Sequence, residues 1–335
     1  MTTEVLRNML YANSSTLLNL GAVVMDEVHY LADKFRGAVW EEVLIHLMES
    51  VQVISLSATV SNAEEFGEWL GEVRGHTDVI VSEVRPIPLY QHVLIGNRLI
   101  DLFSEPGRVN PEILGLERQA MKRVRTPRHR NDRFGHDGER LSRDEVIEKL
   151  QRENLLPAIT FIFSRAGCDA AVKQCLQAGI KLTSAEERLE IITTAQRYTQ
   201  NLAEEDLEVL GYRDWLLALE RGIAAHHAGL LPSFKGAVED LFKRGLVKAV
   251  FATETLALGI NMPARTVVLE KLTKWNGEAH VSITPGEYTQ LTGRAGRRGI
   301  DVEGHSLIQW ANNLDPQTVA SLASRRTYPL NSSFR

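Results

Sequence analysis

The sequence predicts an α/β protein built on parallel sheets, and three observations predict it. Short apolar runs of strand length alternate with longer stretches of helical periodicity. Some runs, Ala158-Ile159-Thr160-Phe161-Ile162-Phe163 above all, are apolar without alternation, as strands covered on both faces require. The run Val23 to Leu31 (V-V-M-D-E-V-H-Y-L) follows from a buried strand, Ala22 to Met25, that ends on two adjacent carboxylates, Asp26 and Glu27. In an open parallel sheet the carboxyl ends of the strands are where ligands bind.

The elements follow in order. The first block holds strands near Ala22–Met25 and Val51–Leu56, then a helix Ala63–Leu70 with Ser61 or Asn62 as its cap. Strands near Val79–Val81 and Leu89–Ile95 flank Pro86 and Pro88, which mark an exit from that block. Residues 104–144 lose apolar periodicity and carry Lys122, Arg123, Arg125, Arg128, Arg130, Arg133, Arg140 and Arg143 against few acids. This stretch reads as a linker. It either holds nucleic acid or is a solvated tether, and the lack of interleaved aromatics favours the tether. The second block opens at Ala158 with a buried strand, followed by a helix through Cys168–Gln177. Ser184–Leu219 is helical and polar, an insertion or an outer helix layer. Strands recur at Ile223–His226, Ala249–Ala252 and Thr266–Leu269, a helix at Pro285–Arg294 and a last strand at Ser306–Trp310. The tail, Ser321–Arg335, carries neither turn signal nor cap, so both ends look cut.

A length of 335 residues leaves room for about two domains. Apolar content of 44% and charged content of 24% are ordinary for a globular chain. The net charge of -5 announces no nucleic-acid binder, so any such partner must be held by local patches. Cys168 and Cys175 lie one heptad apart and no other cysteine completes a zinc site, which points to a reduced, cytoplasmic chain. No charged and apolar leader follows Met1, and no apolar run reaches the length of a membrane span, so no membrane partner is expected.

Several motifs carry chemistry. Asp26 and Glu27 suit a hydrated magnesium ion and a water that needs orienting. Such a pair works in nucleotide hydrolases with a phosphate loop, G-x-x-x-x-G-K-[ST], and the dipeptide Gly-Lys occurs nowhere in these residues. In Gln290 to Gly299 (Q-L-T-G-R-A-G-R-R-G), Arg294 and Arg297 are three apart and on a helix end would share one face. Two guanidiniums held together suit a triphosphate during phosphoryl transfer, and the glycines allow close backbone approach to phosphate. Ser57-Ala58-Thr59 after a strand either couples sites through its hydroxyls or caps the next helix. Thr253-Glu254-Thr255 leads into L-A-L-G-I-N-M-P, Leu256 to Pro263. It is a capped turn or a contact for a sugar-phosphate backbone. His226 and His227 point to opposite faces of a strand with no acid near them in sequence, which favours a structural role over a metal site. Trp275, between Lys274 and Asn276, is a base-stacking surface or a loop anchor.

M-D-E-V-H, S-A-T, A-T-E-T-L-A-L-G-I-N-M-P and Q-L-T-G-R-A-G-R-R-G stand in the order found in superfamily 2 helicases. In detail the chain resembles the superkiller-type DExH helicases, the exosome-associated RNA helicases and their bacterial relatives. A-A-H-H-A-G-L-L-P, Ala224 to Pro232, is similar to that group too, and Thr2-Thr3-Glu4 resembles its motif Ib.

The resemblance implies an α/β fold of two RecA-like parallel-sheet domains with ATP between them. Residues 1–85 would be the first domain, N-terminally truncated, 86–150 the connection with its basic linker, 151–315 an essentially complete second domain, and 316–335 the start of a further one. Asp26 would bind Mg2+ through water and Glu27 would activate the attacking water. His29 would face Gln290 and couple ATP to nucleic acid. Gly259, Asn261, Arg294 and Arg297 would meet the nucleotide, with Arg297 the arginine finger, although Asn261 stands where many relatives carry aspartate. Ser57 and Thr59 would link hydrolysis to strand separation, and Thr3, Thr253 and Thr255 would touch the backbone of RNA, with DNA as the alternative. The phosphate loop, adenine-reading region and motif Ia of the family are expected before Met1, and winged-helix and helical-bundle domains after Arg335. The implied activity is ATP-dependent unwinding. The alternative is a nucleic-acid-binding piece that, lacking the phosphate loop, turns over no ATP.

Overall fold

The computed structural model describes residues 1–32, 36–57, 62–82, 84–105, 107–115, 140–257, 260–311 and 314–324, which fall into two compact units, Met1–Val84 and Arg85–Ser324. Thr59, Gly259 and the basic residues Lys122 to Arg133 lie outside the described residues.

In the first unit two parallel strands, β1 (Ala22–Met25) and β2 (Gln52–Ser55), pair in register from Ala22↔Gln52 to Met25↔Ser55. Helices Thr3–Tyr11, Gly37–His46 and Ala63–Arg74 build the core, with Leu6, Met25, Trp40, Val43, Leu44, Val51 and Leu70 at its centre. Arg74 closes the last helix onto this core. Its guanidinium donates to the carbonyls of Leu47, Met48 and Val51 at 2.5–2.8 Å, tying the last helix to the segment that leads into β2. Val79–Val81, expected as a strand, pairs with neither β1 nor β2. Val79 instead packs on the helix at Gly67, where an added Cβ would meet its methyl at 2.1 Å.

One face of β1–β2 stays open: Val24 is 58%, Ile54 42% and Leu56 49% exposed. β7 (Ala158–Phe161) of the second unit is buried along its whole length. Amide hydrogen exchange is therefore expected to be faster at Gln52–Ser55 than at Ala158–Phe161. Equal protection of the two strands would contradict this.

The second unit is a seven-stranded sheet of order β4-β3-β13-β10-β7-β9-β8. Its members are β3 (Leu89–Ile95), β4 (Arg98–Asp101), β7, β8 (Ile223–His226), β9 (Ala249–Ala252), β10 (Thr266–Leu269) and β13 (Gly304–Gln309). All pair in parallel except the edge hairpin β3–β4. Apolar runs without alternation fill both faces. Val267 and Leu269 enter one core with Phe161, Val250 and Ile308, while Val268 enters the other with Phe251 and Leu307. After β7 the chain leaves toward β8, and after β10 toward β13. The point where onward connections diverge thus lies between β7 and β10.

Two boundaries differ from the sequence reading. Residues 86–150, expected as a connection, supply β3 and β4, because β3 pairs with β13 at six positions from Gly304↔Leu89 to Gln309↔Leu94. The helix Pro316–Ser324, expected to begin a further domain, buries Val319 and Ala323 in the core of the second unit. The described residues of the 104–144 stretch belong to the second unit. β5 (Phe103–Glu105) pairs β6 (Arg108–Val109), and its last two basic residues are fixed: Arg143 holds Glu270 in a bidentate pair at 2.8 and 3.0 Å, and Arg140 donates to the Glu270 carbonyl at 2.8 Å. Glu270 directly follows β10, so this stretch of chain fills the divergence point. Arg140 and Arg143 are thereby committed to protein and not to nucleic acid.

Candidate functional site

In the first unit the turn after β1 is stitched to the end of β2. Leu56 N–H donates to the Met25 carbonyl at 2.9 Å, and Val28 N–H to the Leu56 carbonyl at 2.8 Å. This brings exposed Ser57 one residue from the turn that carries Asp26 and Glu27. Asp26 is exposed, and its Oδ1 accepts the Glu27 N–H at 3.0 Å. Glu27 stands in the left-handed backbone region, φ 58°, which costs a glutamate about 1 kcal/mol or more and marks many active-site turns. Its Oε2 lies 3.2 Å from His29 Nδ1. His29 is buried, stacked on Tyr30 with ring centres 5.0 Å apart. Burial pushes its pKa below the usual histidine range, against the pull of Asp26, so the ring is neutral at pH 7. The set fits what a hydrated magnesium ion asks of a protein, one exposed carboxylate and a second acid beside it. Thr3 is the first residue of the helix Thr3–Tyr11, whose cap is Thr2.

In the second unit Thr253 follows β9, and its hydroxyl meets that of Thr255 at 2.9 Å. Glu254 between them is tied by Lys274 Nζ at 2.6 Å, which also reaches Glu287 in the first turn of the helix Pro285–Thr292 at 2.6 Å. Lys274 thus fastens three segments: the threonine turn, the hairpin of β11 (Thr273–Trp275) and β12 (His280–Ser282), and the helix bearing half-buried Gln290. Trp275 is 56% exposed and packs edge-on against His280, its cross-strand partner in the hairpin. Asn261 is exposed.

The helix ends at Thr292, so Arg294 and Arg297 do not share a helix face as the spacing suggested. The chain instead runs as a short ladder beside Ala264. Ala264 N–H donates to the Arg294 carbonyl at 2.8 Å, and Gly296 N–H to the Ala264 carbonyl at 2.7 Å. Gly296 serves this approach of backbone to backbone. At φ 86° an added Cβ would meet Ile87 at 2.6 Å, so it is packing and not phosphate that requires glycine here. Arg294 donates from Nη1 to the Ile260 carbonyl at 2.5 Å and from Nη2 to that of Ala257. Arg297 is gripped by Asp301.

The paired histidines have the acids that the sequence did not reveal. His226 Nε2 lies 2.9 Å from Glu239 Oε1, and His227 Nε2 3.0 Å from Asp169 Oδ1. Gly229 N–H donates to His227 Nδ1, so His227 carries its proton on Nε2. His92 and His305 form a second buried pair, 3.1 Å apart, with Asp101 beside His92. Burial pushes His92, His226 and His305 below the usual histidine range. The unfolded chain takes up these protons near pH 6.5, the folded chain only at lower pH. Stability is therefore whole above about pH 6.5 and is lost as pH falls from there through the folded values. The denaturant midpoint of the second unit is expected to drop between about pH 7 and pH 5.5. A midpoint that rises over that range would contradict it. Cys168 and Cys175 are free and buried, and burial pushes both thiols up to about 12.

Residues 1–66 match the DEAD/DEAH box helicase family, and residues 169–299 match the helicase conserved C-terminal domain. A probable helicase, HelY, of Mycobacterium tuberculosis (strain H37Rv) is 60% identical over 346 residues, covering 100% of this chain and 38% of the relative. Superkiller complex protein 2 of Homo sapiens is 39% identical, over 92% of this chain and 26% of its own length. Exosome RNA helicase MTR4 of Mus musculus is 36% identical, over 100% of this chain and 32% of its own length. The chain thus spans about two fifths or less of these relatives. Among the described residues no helix is long and apolar enough to cross a membrane.

Proposed function

Because the chain belongs to the superkiller-type DExH helicases of superfamily 2, we propose that it forms the hydrolytic turn and the strand-gripping half of an ATP-driven RNA helicase. The observation that carries this is the β1 turn, where Asp26 and strained Glu27 stand at a strand end, stitched to the segment that begins at Ser57. Asp26 would hold Mg2+ through water, and bound magnesium would neutralise charge on the phosphates of ATP. Glu27 would orient the attacking water and take its proton, with neutral His29 holding the carboxylate by its ring. Arg297 would meet the charge that grows on the phosphoryl group, and Gln290, Arg294, Asn261 and Gly259 would complete the nucleotide contacts. Thr253 and Thr255, with Thr3, would contact the nucleic-acid backbone, and Ser57 and Thr59 would pass hydrolysis on to it.

RNA is the proposed substrate because relatives of this chain are named for RNA. DNA is the alternative, since backbone contacts dominate in both. A cytoplasmic place of action belongs to the same proposal and is supported by the two free cysteines. A second reading has its own observation. No G-x-x-x-x-G-K-[ST] occurs in these 335 residues, so the chain by itself would bind nucleic acid and turn over no ATP. Strand displacement tests the proposal. The protein at its natural length should release a labelled strand from an RNA duplex with a single-stranded overhang only when ATP and Mg2+ are present. Displacement that needs no ATP, or none at all, would sink it.

A further inference from the structure

The turn from Arg297 to Asp301 is closed on itself more tightly than a surface loop requires. Asp301 N–H and Ile300 N–H both donate to the Arg297 carbonyl, at 2.9 and 3.1 Å. In return one carboxylate takes three N–H groups of Arg297. The backbone N–H reaches Oδ2 at 2.9 Å, Nε reaches Oδ2 at 2.8 Å, and Nη2 reaches Oδ1 at 2.8 Å. Gly299 turns the chain between them at φ 78°. The Asp301 side chain is 5% exposed and that of Arg297 21%. Burial pushes the Asp301 carboxyl up, and the hydrogen bonds and charge of Arg297 outweigh it, holding it below the usual carboxylate range. The Asp301 carboxylate therefore stays ionised at neutral pH.

A guanidinium gripped along its Nε–Nη2 edge is fixed in plane and direction. Its other edge, Nη1, carries no protein hydrogen bond among the described residues. We propose that Asp301 is the positioning residue of Arg297, holding the fork so that its Nη1 edge is presented to a phosphoryl oxygen of the nucleotide. This rests on the reading of Arg297 given above.

Two effects of Asp301 oppose each other, and they can be separated. Its charge offsets that of Arg297 and weakens the pull on any phosphate. Its geometry fixes the fork before the nucleotide arrives, which spares the cost of ordering a long side chain. If charge decided, Asp301→Asn would tighten ATP and lower KM. If position decides, Asp301→Asn lowers kcat, because misplacing a group by about 1 Å costs about 10²-fold.

The test is steady-state, RNA-stimulated ATP hydrolysis by the natural-length protein and its Asp301→Asn, Arg297→Ala, Arg297→Lys and doubly substituted variants. Asp301→Asn is expected to lower kcat about 10²-fold while KM moves by less than about threefold. The double variant of Asp301→Asn with Arg297→Ala is expected to match Arg297→Ala alone, since Asp301 has nothing left to position. Unchanged kcat in Asp301→Asn, or a second full loss in the double variant, would overturn the proposal. Unchanged turnover in Arg297→Ala would overturn the reading of Arg297 itself, and this inference with it. Should Asp301→Asn fail to fold, Arg297→Lys decides. It keeps the charge and loses the fork, so a loss close to that of Arg297→Ala supports positioning, and near-wild-type kcat overturns it.

Discussion

Arg297→Ala is expected to lower RNA-stimulated ATP turnover about 10³-fold or more, the size of effect an arginine finger has in phosphoryl transfer. The expectation follows from the state of its side chain. Of the two arginines in the motif, Arg294 spends both terminal nitrogens on the carbonyls of the 257–260 turn. Arg297 is bound along one edge only. Arg294→Ala should therefore fail by a different route, loosening the turn that follows Thr253–Thr255, with a loss of folding stability beside any loss of turnover. Arg297→Ala also costs stability, because it leaves the Asp301 carboxylate, 5% exposed, with the backbone N–H of residue 297 but without its guanidinium partner, so turnover is compared at equal folded fraction. Thermal melting beside phosphate release on both variants checks this. Turnover that survives Arg297→Ala would remove Arg297 from the chemistry.

Arg143→Ala is expected to destabilise the second unit by about 3 kcal/mol, as breaking one side of a buried ion pair does. Glu270 has a side chain only 9% exposed at the divergence point of the sheet. Without Arg143 it keeps the longer contact to Arg140 Nη2, 3.5 Å from its Oε1. An exposed pair elsewhere in the unit, Arg152–Glu148, provides the control, and Arg152→Ala is expected to cost less than about 1 kcal/mol. Urea unfolding of the two variants separates them. Equal midpoints would show that the Glu270 cluster does not hold the 140–143 segment in place. The double change Arg143→Met with Glu270→Leu should recover most of the loss, because the cost lies in leaving one charge buried alone.

The second sheet was largely legible because its central strands are buried on both faces. Ala158–Phe161, Ala249–Ala252 and Thr266–Leu269 read as apolar runs for that reason. What local pattern could not show was partnership. Leu89–Ile95 was recognised as a strand, but its place beside β13 rests on contacts such as His92 to His305, 213 residues away. Val79–Val81 has the composition of a strand, but its first residue, Val79, lies against a glycine of the preceding helix instead. In the candidate site, residue types and order were readable and directions were not. The helix that should have aimed Arg294 and Arg297 stops at Thr292, and a glycine read as room for phosphate is room for Ile87 and Gly304. The acids that hold His226, His227 and Arg143 are brought in by folding, and no spacing signals them. Asp301 is close in sequence, four residues after Arg297, but a turn at Gly299 and not a helix brings the two together, so helical spacing did not signal this pair either.

The most direct measurement of the central claim is phosphate release from ATP by the natural-length protein, with and without single-stranded RNA, beside the variant Glu27→Gln. Glu27→Gln keeps the shape of the β1 turn and removes the base. Turnover should be stimulated by RNA and should fall about 10²-fold or more in the variant, while RNA binding is retained. The 335-residue chain on its own should release none. RNA-stimulated turnover that is unchanged by Glu27→Gln would contradict the assignment of hydrolysis to the Asp26–Glu27 turn.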